Sequence, residues 1–150
     1  MNKNRWLIAV IALIAVSVLG IGGVVFYGTV QLPKDRLAQD SSACTTFAAG
    51  VASARNKVME AAQKNTAITD PELAQIYLDE VDKGIDAAFQ QAASKGEVSN
   101  ALAQLGLSRI SYDATQGFQA VTALEQAYQP VTDACTPVLT SASPVATPSS

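Results

Sequence analysis

The sequence predicts an all-α protein in which an N-terminal transmembrane helix is followed by a small, disulfide-closed extracytoplasmic helical bundle of about four helices. Three observations carry that expectation. Trp6 to Val30 is a run of 25 residues without a charged side chain, set between Arg5 and Lys34. The rest of the chain is rich in Ala and sparse in aromatics, a composition that favours helix over sheet. The only two cysteines, Cys44 and Cys135, both lie in that second part.

At 1.5 Å per residue the uncharged run reaches ~37 Å as a helix, enough to cross a ~30 Å hydrocarbon layer with some tilt. Lys3 and Arg5 precede it, whereas Lys34 and Arg36 after it are partly offset by Asp35. The positive-inside rule therefore expects residues 1–5 in the cytoplasm and the body outside. Trp6 and Tyr27 are spaced to put one ring in each headgroup layer of a plasma membrane crossed once. A cleaved secretory signal is the competing reading, with Trp6 to Leu19 as its apolar core and Gly20-Ile21-Gly22 as a small-x-small site. Val24, Val25 and Phe26 continue the apolar run past that point, which favours retention. Ala12, Ala15, Leu19, Gly22 and Gly23 fall on one side of the expected helix, where small residues would let another span pack closely.

From Gln31 onward there are eight Lys or Arg against thirteen Asp or Glu, a net charge of −5. That balance argues against nucleic acid or an anionic lipid surface as a partner of the body. With the cysteines on the oxidising side, one Cys44–Cys135 disulfide is the economical expectation. Two free or metal-binding thiols are the alternative, disfavoured because the chain has no histidine and no C-x-x-C pair.

Taken in order, residues 31–42 open with Leu32-Pro33 and read as a stalk. A first helix is expected from a cap at Asp40, Ser41 or Ser42 to about Lys64. Cys44, Val51 and Val58 with Phe47, Ala54 and Ala61 form its apolar seam. Thr69-Asp70-Pro71-Glu72 reads as a helix start with Asp70 as N-cap and Pro71 in the first turn. The helix it begins is expected to reach about Ser94. Its stripe is Leu73, Ile76, Tyr77, Val81, Ile85, Ala88, Phe89 and Ala92, and Gly96 stands as the left-handed residue beyond its end. A short helix from Glu97 to Leu105 is expected to stop at Gly106. A longer one from Ser108 then carries Ile110, Ala114, Phe118, Val121, Leu124 and Tyr128, weakened by Gly117 and stopped or kinked at Pro130. The final turns hold Val131, Cys135 and Val138, so that 43–139 forms the bundle. Residues 140–150, all Ser, Thr, Pro, Ala and Val, read as a flexible tail open to O-glycosylation. For Cys135 to return to Cys44, the chain must make an even number of passes.

Zero histidine removes the usual general base and the commonest metal ligand. No G-x-S-x-G, Walker loop or H-E-x-x-H occurs, so the expectation is a non-enzyme without cofactor or metal. The acidic cluster on the second helix places Asp79, Asp82 and Asp86 on one face as a candidate docking site. The blander reading is a solvated face with Lys83 satisfying Asp79. Phe47, Tyr77, Phe89 and Phe118 are the residues that would line a pocket if the bundle took a ligand or lipid between its helices.

In size, anchor, Ala-rich helical ectodomain, single cysteine pair and Ser/Thr/Pro tail, the chain resembles the small single-pass accessory subunits of actinobacterial envelope complexes, such as those of the respiratory cytochrome bc and oxidase supercomplex. The resemblance implies a partner that is an integral membrane complex, contacted through span and ectodomain within the lipid bilayer, and a role in assembly or stability. No motif carries it, so it assigns no site residue.

Overall fold

A computed structural model describes residues 34–142, and these are all-helical, with five α-helices and no strand. The expected span at 6–30, its packing face of Ala12, Ala15, Leu19, Gly22 and Gly23, and residues 143–150 of the expected tail lie outside the described residues, whereas 140–142, also expected in the tail, are the last residues of the final helix. Among the described residues, no helix is long and apolar enough to cross a membrane.

The first helix, α1 (Lys34–Lys64), spans 31 residues, ~46 Å. It begins nine residues before the expected bundle boundary at 43, so residues 34–42, read as a stalk, are its first turns. Asp40 is a mid-helix residue and no cap. Its carboxylate is 5% exposed and accepts the Ala93 backbone N–H at 2.9 Å, across 53 residues of sequence. An aspartate that reads locally as a helix start thus satisfies an orphan donor beyond the end of another helix. The inward face of α1 is Asp40, Ala43, Cys44, Phe47, Ala54 and Val58, while Val51 and Ala61 of the expected seam are only half-buried.

The second helix, α2 (Asp70–Gln91), starts after Thr69, whose backbone N–H and hydroxyl both donate to Glu72 Oε2 at 2.8 Å. Thr69, in extended conformation, holds the N-cap position expected of Asp70, because Glu72 three residues on can reach back to it. The backbone bond from Thr69 is the main reason Glu72 sits below the usual carboxylate range. Leu73, Tyr77, Val81, Ile85 and Ala88 are buried as expected; Phe89 is not. After α2 the left-handed residue is Lys95, at φ 61°, and Gly96 has an ordinary φ of −90° as N-cap of α3. Gly96 N–H donates to Ser99 Oγ at 3.0 Å, which fixes that start.

Helix α3 (Glu97–Ser108) runs through Gly106 instead of stopping there, and Ser108 closes it by donating to the Leu105 carbonyl at 2.8 Å. Two single 3₁₀ turns follow, Arg109–Ser111 and Ala114–Gln116. The long fourth helix expected from Ser108 is therefore broken. Asp113 accepts the Thr115 N–H at 2.9 Å, a turn-forming bond that competes with helix, and Gly117 adopts φ 61°. Gly117 is thus a junction and not a weak point inside a helix. A Cβ there would stand 3.3 Å from Asp70 Cβ, so the turn packs on the start of α2. Only then come α4 (Phe118–Gln126) and α5 (Gln129–Ala142), with Pro130 in the first turn of α5.

The order gives four passes: α1 out, α2 back, α3 with its 3₁₀ turns out again, and α4 with α5 as one interrupted return. That return joins Cys135 to Cys44, with Cα atoms 5.6 Å apart and 91 positions between them in sequence. Along α1 and α2 the backbones touch. A Cβ built on Gly50 would lie 2.7 Å from the Gly84 Cα, and one on Gly84 would lie 2.9 Å from the Gly50 Cα. No side chain fits at either point, so the α1–α2 separation is set by this pair.

Gly84→Ala and Gly50→Ala should each lower unfolding free energy by about 1–3 kcal/mol despite alanine's higher helix propensity, because overpacking between two backbones outweighs a gain of ~1 kcal/mol. Urea titration checks this, and a neutral or stabilising result would remove the close crossing. Lys95→Gly should instead raise stability by about 0.5–1 kcal/mol by relieving the left-handed lysine.

Candidate functional site

The described body holds two constellations of chemistry-bearing side chains. The first is inside. Arg55 of α1 places Nη2 2.9 Å from Glu125 Oε1 of α4, and the same oxygen accepts the Tyr77 hydroxyl of α2 at 2.8 Å. The Tyr77 oxygen lies 3.3 Å from the Tyr128 hydroxyl in the α4–α5 turn. With the single Tyr77 proton committed to Glu125, Tyr128 is the donor of that contact. The Tyr128 ring meets Phe47 edge to face, with centroids 5.2 Å apart. One carboxylate therefore gathers α1, α2 and the return pass.

Burial pushes both tyrosines well above their ordinary pKa, and the negative charge of Glu125 adds to the rise in Tyr77. Arg55 is also raised, the bond and charge of Glu125 together outweighing the loss of hydration that acts the other way. No buried side-chain nitrogen or oxygen among the described residues lacks a hydrogen bond. The chemistry of the network is that of a polar clamp.

The second constellation is on the surface of α2. Arg109, at the end of α3, places Nη1 2.9 Å from Asp86 Oδ1 and Nε 3.7 Å from Asp82 Oδ1. Asp79 accepts from Gln75 Nε2 at 2.7 Å. Lys83 does not satisfy Asp79. It pairs with Glu80 at 2.6 Å, and Glu80 also takes Lys57 of α1 at 2.8 Å. Those two lysines hold Glu80 below the usual carboxylate range. Partial burial pushes Asp82 upward, Arg109 opposes it, and Asp86 and Asp79 add to the rise. Asp79, Asp82 and Asp86 do share a face, and the structure adds a cation to it from 23 residues away.

No family model, curated protein or solved structure matches this chain.

The four aromatics expected to line a ligand pocket are dispersed. Phe47 and Tyr77 are core residues against Tyr128 and Glu125, Phe118 is half-buried at the start of α4, and Phe89 is 48% exposed on α2. An open groove instead lies between the first turns of α1 and the end of α5. Leu37, Ala38, Ser41, Thr45 and Ala142 line it. Ser42 and Thr46, also in its lining, both donate to Gln91 Oε1, at 2.6 and 2.9 Å. Among the described residues, no group of three or more Cys, Asp or Glu is placed to hold a metal ion. Sequence reasoning missed Glu125, Arg55 and Asp40. The available signal for Glu125 was its place on α4 between inward-facing Leu124 and Tyr128, where a charge requires a partner.

Each tyrosine's folded pKa is raised, so its contribution to stability is complete below the unfolded value of 10.0 and is lost as pH climbs above it. Thermal melts should therefore fall steeply above pH ~10. Tyr77→Phe with Tyr128→Phe should start less stable at pH 7 and lose less on going to pH ~11; an equal loss would contradict the burial of these hydroxyls. Glu125→Leu should lower unfolding free energy by about 1–3 kcal/mol, since Arg55 and Tyr77 lose their acceptor together.

Proposed function

We propose that this chain is a non-catalytic, membrane-anchored extracytoplasmic interaction module, an accessory or assembly subunit that stabilises a larger membrane complex. The observation that carries the proposal is the Cys44–Cys135 disulfide closing a helical body that begins a few residues after an uncharged 25-residue stretch. A buried structural disulfide belongs to an oxidising compartment, and the uncharged stretch has the length of a span. Together they support a single-pass protein of the plasma membrane with residues 1–5 inside and the body outside.

The polar groups of the body support an interaction role. Arg55, Glu125, Tyr77 and Tyr128 bond to one another across three segments, which makes them scaffold. What the molecule presents outward is helical surface. The respiratory cytochrome bc and oxidase assembly is the kind of partner that the resemblance in size, anchor and ectodomain suggests, with assembly or stability as the contribution of this chain.

The test is native electrophoresis of the full chain after mild detergent extraction of its own membranes. The proposal expects migration within an assembly several times its own 15.6 kDa. A lone small species, or recovery of the chain from the medium, would overturn it.

A further inference from the structure

Phe89, Leu107 and Ile110 are the exposed large hydrophobics of the described body, at 48%, 71% and 81% exposure. The Arg109–Asp86 bridge joins the two segments that carry them, and Leu107 and Ile110 are three residues apart, the spacing of side chains on one face of a helical turn. Phe89 stands three residues after Asp86 on α2, and so on the stripe that carries Asp82 and Asp86. Leu107 and Ile110 bracket Arg109, whose guanidinium crosses to those two aspartates. In the same stretch Leu102 and Leu105 are fully inside, 0% and 2% exposed, so the core has taken the leucines it needs. Exposed apolar side chains grouped together and rimmed by charged ones are the usual make-up of a docking patch, whereas single exposed hydrophobics signify nothing.

Charge decides the occupant. Asp79, Glu80, Asp82 and Asp86 against Arg109, Lys83 and Lys57 leave this side of the body one negative charge in surplus, on a body of net −5. A second copy meeting it face to face would bring like charges together, and an anionic bilayer would repel it. A protein recess that is apolar at its floor and rimmed by Lys or Arg complements both features.

We infer that the face built from Phe89, Leu107 and Ile110 around the Arg109–Asp86 bridge is the docking surface for a protein partner with a basic-rimmed apolar recess. This rests on the accessory-subunit reading and names the surface that reading needs. The three side chains enter the recess, while Asp79, Asp82 and Asp86 set orientation and the approach rate.

The test places a benzoylphenylalanine photocrosslinker at Ile110 or at Leu107 in the full chain, in the cells that make it, with Gln63 near the far end of α1 as control. Both test positions should link to the same single protein, through a peptide flanked by Lys or Arg, and Gln63 should not. Asp79→Lys with Asp86→Lys should reduce that link by about tenfold or more. Phe89→Ser should do likewise while leaving the ion pairs intact, and disulfide formation in each variant reports that it has folded. No link at either position, a link to a second copy or to lipid, a linked peptide without basic residues, or equal labelling at Gln63 would overturn the inference. Migration of the chain in a larger assembly while Ile110 stays unlinked would sink this inference alone; migration as a lone species would sink the reading beneath it.

Discussion

The bond between Cys44 and Cys135 is the constraint on which the rest of the structure depends. It ties α1 to α5 across 91 positions, so the chain must leave the start of α1 and come back to it. Loops of that order are stabilised by ~4 to 5 kcal/mol in the chain-entropy account, an upper figure and a large share for a domain of about a hundred residues. Every other feature is placed with respect to that closure. Near it, Asp40 caps the Ala93 amide and Gln91 takes two hydroxyls from α1. Further along, the Gly50–Gly84 contact sets the α1–α2 distance, and beyond that Glu125 gathers three segments.

These devices divide the work by chemistry. The glycine pair gives proximity and no specificity, since any two bare backbones can touch. The Arg55–Glu125–Tyr77–Tyr128 cluster gives specificity, because its donors and acceptor are matched only when α1, α2 and the return pass are in register. The disulfide limits how far the chain can stray from that register. An Ala-rich body with few large side chains needs all three, because its apolar surface alone would hold the helices loosely.

Much of this was legible in the sequence. Helix composition, the capping signal before α2, the burial of Leu73, Tyr77, Val81 and Ile85, the even number of passes and the cysteine pairing all follow from local patterns or from simple topology. The failures are physical too. Asp40 resembles a helix start because its side chain caps something, but the amide it caps is 53 residues away and no local pattern can announce it. Gly106 and Gly117 were read through average glycine behaviour, whereas α3 passes through the first and the second turns at positive φ against Asp70. Ile110 reads as one more member of an apolar stripe until the 3₁₀ turns break that stripe and leave it outside. Gly50 and Gly84 do carry a local signal, since a glycine inside a strong helical pattern costs ~1 kcal/mol relative to Ala and the backbone contact supplies its reason.

The central claim, a cystine-closed helical body held outside a membrane by an uncleaved N-terminal segment, is tested most directly by peptide mapping of the full chain. The chain would be extracted from membranes, alkylated before lysis and digested without reduction. The account predicts a linked Cys44–Cys135 peptide pair in the digest and, from the undigested chain, an intact mass that includes residues 1–5. Alkylated thiols at both cysteines, or a chain whose first residue lies beyond Gly22, would contradict it.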